Sequence, residues 1–203
     1  MNTCRPDRLL LVAALVAAVT VGCATPTPAR FYTLSETPVA APVGRLAADR
    51  TLAVGPVDLP EYLDRPQIVT RIGDSELQVN EFHRWGGVLQ EEATRVVARD
   101  LARLLDTRRV HVYPSRVSRL TDYRVVIELR SFEGTLGGEV VLDAAWTILD
   151  ERTAEPLHTG FSRARAMAAG PGFDAYTRAL SEVLGGLGRA IATELARLDA
   201  ARR

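Results

Sequence analysis

The sequence is poor in the side chains that most often carry out chemistry. It contains three histidines, two cysteines and no lysine among 203 residues. His83, His111 and His158 fall in three separate predicted elements, and the sequence has neither an H-E-x-x-H nor a Gly-x-Ser-x-Gly motif. Acidic residues are numerous, but no pair of them has a spacing that indicates acid–base catalysis. We therefore expect no enzymatic activity, no metal site and no cofactor.

The sequence also lacks net charge. Its 25 acidic residues balance 25 basic residues, all of which are arginines. Binding to nucleic acid depends on an excess of positive charge facing the phosphates, so this composition predicts no nucleic-acid partner. Glycines 134, 137 and 138 join two predicted strands and do not open a helix, which excludes a dinucleotide-binding loop. The hydrophobic content of 47% is sufficient for a packed core.

One long apolar run is present, and it lies at the N-terminus. It covers Leu9–Val21, is interrupted only by Thr20, and follows the basic residues Arg5 and Arg8. This length is typical of the hydrophobic core of a signal peptide and is too short to span a bilayer comfortably. The pattern therefore predicts export. An ordinary cleaved secretory peptide and an uncleaved anchor are both compatible with this run.

The end of the run specifies the kind of export signal. Val19–Cys23 places the small Gly22 directly before Cys23 and resembles a bacterial lipoprotein box, in which the cysteine receives a diacylglyceryl group and becomes the new N-terminus. Two or three acyl chains hold such a protein on its membrane. The next residue is Ala24 and not aspartate, which favours the periplasmic face of the outer membrane of a Gram-negative bacterium. Because Cys4 would leave with the signal peptide, the mature chain would have no free thiol.

These signals divide the chain into three parts. Residues 1–22 are the predicted lipoprotein signal peptide, residues 23–49 the lipidated cysteine, a proline-rich tether and a first short strand, and residues 50–203 a single α/β domain. The tether residues 24–29 alternate proline with small residues, and as an extended segment they span roughly 20 Å at about 3.1 Å per residue.

Hydrophobic periodicity predicts the elements of the domain. Apolar residues recur every three or four positions from Val88 to Leu105 and again from Tyr176 to Leu198, which predicts two amphipathic helices, the second with Asp174 as its N-cap. Glycines 185, 186 and 188 within the second helix either permit close packing or introduce a kink. Between the helices the period changes to two, and three strands of an antiparallel meander are predicted from Tyr123 to Ala166. Shorter strands are predicted at Arg30–Leu34, Thr51–Val57, Gln67–Arg71, Glu76–Val79 and Val110–Tyr113. The fold class is therefore α/β, with a mixed sheet covered by the two helices.

One stretch resembles a known family. Val54–Arg71, with its Tyr-Leu-Asp-Arg-Pro-Gln centre, is similar to the signature of the PqiC/YmbA-type auxiliary lipoproteins, and Phe31–Leu34 and Asn80–Trp85 support the likeness. The resemblance extends from about Cys23 to Leu198. It departs from the family at Trp85-Gly86-Gly87, where relatives tend to have Trp followed by alanine or an acidic residue, so the start of the first helix is not set by the resemblance.

The resemblance implies a function and a fold. It implies an outer-membrane lipoprotein that supports membrane integrity as the auxiliary component of an ABC transport system, with MCE-domain proteins that bridge the periplasm in lipid transport as its partners. It also implies a three-layer α/β fold similar to anticodon-binding-like and TolB N-terminal domains, and the formation of a homo-oligomeric ring around the tip of the MCE partner.

The same stretch contains the candidate partner interface. The prolines at both ends of loop 60–66 stiffen it, and a rigid loop that presents an aromatic side chain and an arginine suits a protein interface, because little entropy is lost on binding. Alternatively, Asp64 and Arg65 pair with each other and Tyr62 packs against its own domain. Trp85, beside Arg84, either anchors a partner or attaches the start of the first helix to the sheet. The candidate interface residues are Tyr62, Leu63, Asp64, Arg65, Arg84 and Trp85.

The sequence thus predicts a lipid-anchored binding module that docks the lipid conduit at the outer membrane. A structural lipoprotein that assists envelope assembly or attaches to the cell wall, without a transport partner, would need the same tethered and non-catalytic domain. A third possibility is direct lipid binding, which requires an apolar cavity, whereas the helix stripes look just wide enough to cover a sheet.

Overall fold

The computed structural model describes residues 27–116 and 120–202, and within them two groups of four strands are each followed by one α-helix. The predicted signal peptide, Cys23 and tether residues 24–26 lie outside the described residues. The elements are β1 (Arg30–Tyr32), β2 (Leu52–Asp58), a 3-10 turn (Glu61–Leu63), β3 (Gln67–Arg71), β4 (Leu77–Trp85), α1 (Leu89–Leu104), β5 (Val110–Val112), β6 (Tyr123–Gly134), β7 (Glu139–Asp150), β8 (Pro156–Met167) and α2 (Phe173–Ala201). The predicted α/β class is confirmed.

A five-stranded mixed sheet forms the centre of the fold. Its strand order is β5-β2-β6-β7-β8, with β2 parallel to β5 and β6, and with β6, β7 and β8 antiparallel to one another. Alternate residues of the meander, such as Val125, Ile127 and Leu142, are fully buried, whereas their sequence neighbours are partly exposed. Because side chains alternate across a strand, only one face of the meander is buried. Both helices pack against this sheet. The period-two pattern of the sequence predicts the buried face that they cover.

The remaining strands form a second sheet with the order β1-β4-β3. A hairpin turn at Gly73-Asp74 joins β3 to β4, and the Ile72 N–H donates to the Glu76 carbonyl at 3.0 Å. β4 is longer than the predicted strand Glu76–Val79, because β1 pairs with its second half in parallel, from Arg30 opposite His83 to Tyr32 opposite Trp85. Trp85 therefore ends a strand, and α1 begins only at Leu89.

The second helix runs unbroken through its three glycines. A Cβ at Gly185 would overlap the Thr37 hydroxyl, and a Cβ at Gly188 would lie 3.5 Å from Asp100 Cβ, so these glycines permit close packing. The N-cap of α2 is Gly172, so the predicted N-cap, Asp174, is wrong by two residues. Asp174 lies in the first turn, where its negative charge interacts favourably with the helix dipole.

Residues 33–50, here called the strap, connect β1 to β2 across both helices. The Val43 N–H donates to the Leu104 carbonyl at 2.9 Å, and the Ser35 N–H donates to Ser181 Oγ at 3.0 Å. Farther along, the Ala47 N–H donates to the Asp199 carboxylate at 2.8 Å. The strap therefore pairs several of its backbone N–H groups with the helices without forming a strand, and it links α1 to α2.

Candidate functional site

The six candidate interface residues fall on two segments that the fold brings together. Loop 60–66 lies beside the junction between β4 and α1, because the Trp85 N–H donates to the Pro66 carbonyl at 2.7 Å. The junction is fixed to the first strand as well, since the Gly86 N–H donates to the Tyr32 carbonyl at 2.7 Å. Between the two segments lies a groove of about 370 Å³, here called the junction groove, which is lined by Asp64–Pro66 and Trp85–Leu89.

The residues of this group differ in exposure. Leu63 and Trp85 are only 3% and 6% exposed and belong to the core beneath the groove. Asp64 and Arg65 are exposed at its rim, and among the residues that the structure describes no ion pair joins them. The Arg84 side chain is 39% exposed, and its Nε donates to the Glu81 carbonyl at 2.9 Å. The structure thus offers two freely exposed charged side chains above an apolar floor.

Tyr62 points away from the groove and packs against its own domain. Its hydroxyl donates to Glu133 Oε2 at 2.9 Å, and Glu133 is only 4% exposed. The same carboxylate accepts hydrogen bonds from Arg71 Nη2 at 2.7 Å and from the Phe132 N–H at 2.8 Å. Burial, together with the negative charge of Glu133, raises the pKa of Tyr62 to about 12. We call Tyr62, Arg71 and Glu133 the Glu133 cluster.

A second buried tyrosine extends this cluster into α2. The Tyr176 hydroxyl donates to the Val69 carbonyl at 3.0 Å and accepts from the Gly134 N–H at 3.1 Å. Burial raises the pKa of Tyr176. The 3-10 turn, β3, β6 and α2 are therefore joined through buried polar contacts directly behind loop 60–66, so the loop is held rigidly where it reaches the groove.

Sequence reasoning did not identify Glu133. It follows a β-bulge in β6, because the register with β7 shifts between Leu129 and Ser131, so the alternation of Val125, Ile127 and Leu129 does not extend to it. A buried carboxylate requires donors nearby, and no local pattern marked this one as buried. Its partners could not be named from the sequence, since they come from two other elements.

A further groove of about 560 Å³ lies at the edge of the central sheet. Pro56, Val112 and Tyr113 form one side, and the polar residues Gln90 and Arg95 of α1 form the other. Among the described residues, no group of three or more histidine, cysteine, aspartate or glutamate side chains is placed to hold a metal ion. Within the same part of the chain, no helix has the length and apolarity needed to cross a membrane.

Comparison with known proteins identifies relatives of this fold. Residues 32–192 match the model of a family described as the ABC-type transport auxiliary lipoprotein component. The crystal structure of a Xanthomonas campestris protein assigned to the DUF330 family is similar with a TM-score of 0.68 at 18% identity, covering 86% of this chain and 98% of that one. The crystal structure of an uncharacterized protein gives a TM-score of 0.62 at 17% identity, with coverage of 84% and 98%. No curated protein matches the sequence.

A weaker likeness joins this chain to an assembled protein. The subunit of the PelC dodecamer from Paraburkholderia phytofirmans has a TM-score of 0.43 at 15% identity, covering 77% of this chain and 93% of that one. At these identities the two stronger likenesses establish the shared fold, and the weaker one carries no inference about assembly.

Proposed function

The chain belongs to the family of ABC-type transport auxiliary lipoprotein components, and from this membership we propose that it is the outer-membrane-anchored subunit of an MCE-type transport system. In this role it docks the lipid conduit that crosses the periplasm and so supports the integrity of the envelope. The partner is an MCE-domain protein, and several copies of this chain form a ring around its tip.

Anchoring depends on Cys23. Two or three acyl chains on this residue hold a protein firmly, whereas a single myristoyl chain gives only marginal and reversible binding. The tether of residues 24–29 spans roughly 20 Å at about 3.1 Å per residue, so the domain stays close to the lipid surface. Ala24 after the acylated cysteine favours transfer to the outer membrane.

The observation that carries the docking role is the attachment of loop 60–66 by hydrogen bonds on both sides of the junction groove. On one side of the loop the Tyr62 hydroxyl donates a hydrogen bond to Glu133. On the other side the Trp85 N–H donates to the Pro66 carbonyl. Arg65 and Asp64 are therefore presented to solvent on a backbone that loses little entropy when a partner binds. Arginine beside a small apolar groove is typical of the residues that dominate binding energy at protein interfaces.

The test is recovery of partners from detergent-solubilised envelopes. Wild type, Cys23→Ala, a double Asp64→Ala/Arg65→Ala variant and the control Arg152→Ala are purified through the same tag and compared by mass spectrometry. Arg152 is a matched control because its side chain is 68% exposed and lies on the β7–β8 turn. We expect an MCE-domain protein with wild type and Arg152→Ala, and its loss with the double variant.

The other variant separates anchoring from docking. Cys23→Ala should leave the outer-membrane fraction and lose the partner, because the domain is no longer held at the membrane. If wild type fractionates with the outer membrane but recovers only assembly or cell-wall components, the proposed transport role is wrong. The protein is then a structural lipoprotein.

A further inference from the structure

Two exposed phenylalanines lie on neighbouring strands of the three-stranded sheet. Phe31 of β1 is 67% exposed and Phe82 of β4 is 51% exposed. The parallel register places Phe31 opposite Arg84, two residues after Phe82 on β4. The surface around these two side chains is here called the aromatic face.

The fold itself does not use this pair. The opposite face of the same two strands packs against the start of α2, where the His83 ring stacks on Phe173 at 3.8 Å and the Tyr32 ring lies 5.8 Å from Phe173. The Tyr32 hydroxyl and His83 Nδ1 are 2.8 Å apart and share a hydrogen bond. β1 and the second half of β4 thus pack on one side against α2 and present Phe31 and Phe82 to solvent, which indicates a binding surface.

The position of the anchor indicates what covers the second face. Residues 24–29 separate Cys23 from Arg30, the first residue of β1, and they reach roughly 20 Å at about 3.1 Å per residue. The register begins with Arg30 opposite His83, so Phe82 lies at the end of the sheet where the chain arrives from the anchor. The aromatic face is therefore within reach of the bilayer that holds Cys23.

We propose that the aromatic face inserts into the headgroup region of the membrane that carries the acylated Cys23. This inference rests on the acylation included in the proposed function. Aromatic rings with an arginine beside them suit this region, because the rings enter the acyl boundary while the guanidinium group of Arg84 remains with the phosphates. The short tether raises the effective concentration of the lipid surface, so a small aromatic contact is sufficient to hold the domain in one orientation.

The test uses the full mature protein with its acyl anchor. Because Cys23 is modified, Phe31→Cys, Phe82→Cys and the control Phe161→Cys each provide one free thiol for a polarity-sensitive nitrobenzoxadiazole label. Phe161 is a matched control because it is 70% exposed and lies on β8 of the other sheet. Each labelled protein is reconstituted into phosphatidylethanolamine–phosphatidylglycerol vesicles with and without spin-labelled lipid.

We expect spin-labelled lipid to remove most of the emission at positions 31 and 82 and little of it at position 161. Equal and weak quenching at all three positions would overturn the proposal. It would also be overturned by labels at 31 and 82 that are shielded from water without lipid quenching, or by disulfide linkage between two copies at position 82, because the face would then be a contact between subunits. Mass spectrometry that finds Cys23 unmodified removes the tether argument and also overturns it.

This experiment is independent of the docking test, because the vesicles contain no other protein. Lipid quenching at position 82 combined with failure to recover an MCE-domain protein would leave the membrane contact standing and reject the transport role. The reverse result, with the partner recovered and no quenching, would reject only the membrane contact.

Discussion

Two adjacent glycines of α2 should respond to alanine in opposite directions. Replacing glycine by alanine inside a helix contributes about 1 kcal/mol to stability through helix propensity. At Gly186 the new Cβ would lie 3.7 Å from Ala164 Cβ, which is an ordinary van der Waals contact. At Gly185 it would overlap the Thr37 hydroxyl and lie 2.7 Å from Thr37 Cβ. The strap would therefore have to move in the Gly185→Ala variant.

The size of the effect at Gly185 follows from what Thr37 does. Its hydroxyl donates to Asp100 Oδ2 at 3.3 Å, and Asp100 is only 1% exposed. Displacing Thr37 loses this hydrogen bond, at about 1 kcal/mol, and overpacking costs a further ~1–3 kcal/mol. After the gain in helix propensity, Gly185→Ala should be about 1–3 kcal/mol less stable than wild type. Gly186→Ala should be up to about 1 kcal/mol more stable.

Urea unfolding of the non-acylated mature chain, followed by circular dichroism, measures both values. The midpoint should fall for Gly185→Ala and rise for Gly186→Ala, with the dependence on urea unchanged. A Gly185→Ala variant as stable as wild type would show that the strap does not pack against α2 as described. Destabilisation by Gly186→Ala would also refute the reasoning, because a methyl group at that position should make only an ordinary contact with Ala164.

Three further predictions concern titratable groups. Glu133→Ala removes the acceptor of Arg71 and Tyr62, and urea unfolding should show a loss of about 2–3 kcal/mol; a loss below about 1 kcal/mol would contradict the role of the cluster. The pKa of Tyr62, about 12 in the folded state, lies above its unfolded value, so its contribution to stability is complete below about pH 10 and is lost as the pH rises towards 12. Ultraviolet titration should show late-ionising tyrosines, of which Tyr62→Phe removes one, and an unchanged curve would contradict this. Burial, and then the charge of Arg30, lower the pKa of His83, so its contribution is present above about pH 6.5 and lost as the pH falls through the folded value. Its NMR titration midpoint should lie below about 6.5, and a higher midpoint would contradict the packing against α2.

The sequence predicted those parts of the fold that are encoded in local periodicity. The meander from Tyr123 and the stripe of the first helix are both visible, because side chains repeat with periods of 2 and 3.6 wherever one face is buried. No such periodicity in the sequence marks the second sheet. Its longest strand, β4, has one buried residue, Trp85, and its second half pairs with β1, which is distant in the sequence.

The sequence predicted individual residues of the candidate site but not how they are arranged. Arg65 and Trp85 were both identified, but that they border one groove depends on the register of β3 with β4, which places Gln67 opposite Arg84 and lets the Trp85 N–H donate to the Pro66 carbonyl. The sequence left two roles open for Tyr62, and the hydrogen bond to Glu133 decides that it packs against its own domain. The selection of these residues as partner contacts stays a prediction.

Photo-crosslinking in living cells tests the docking role most directly. A benzoyl-phenylalanine replaces Arg65 at the rim of the junction groove, with the same replacement at Arg152 as the matched control. After irradiation, the crosslinked products are identified by mass spectrometry. The docking role predicts a product with an MCE-domain protein from position 65 and none from position 152. Products from position 65 that contain only other copies of this chain, or only assembly and cell-wall proteins, would contradict it.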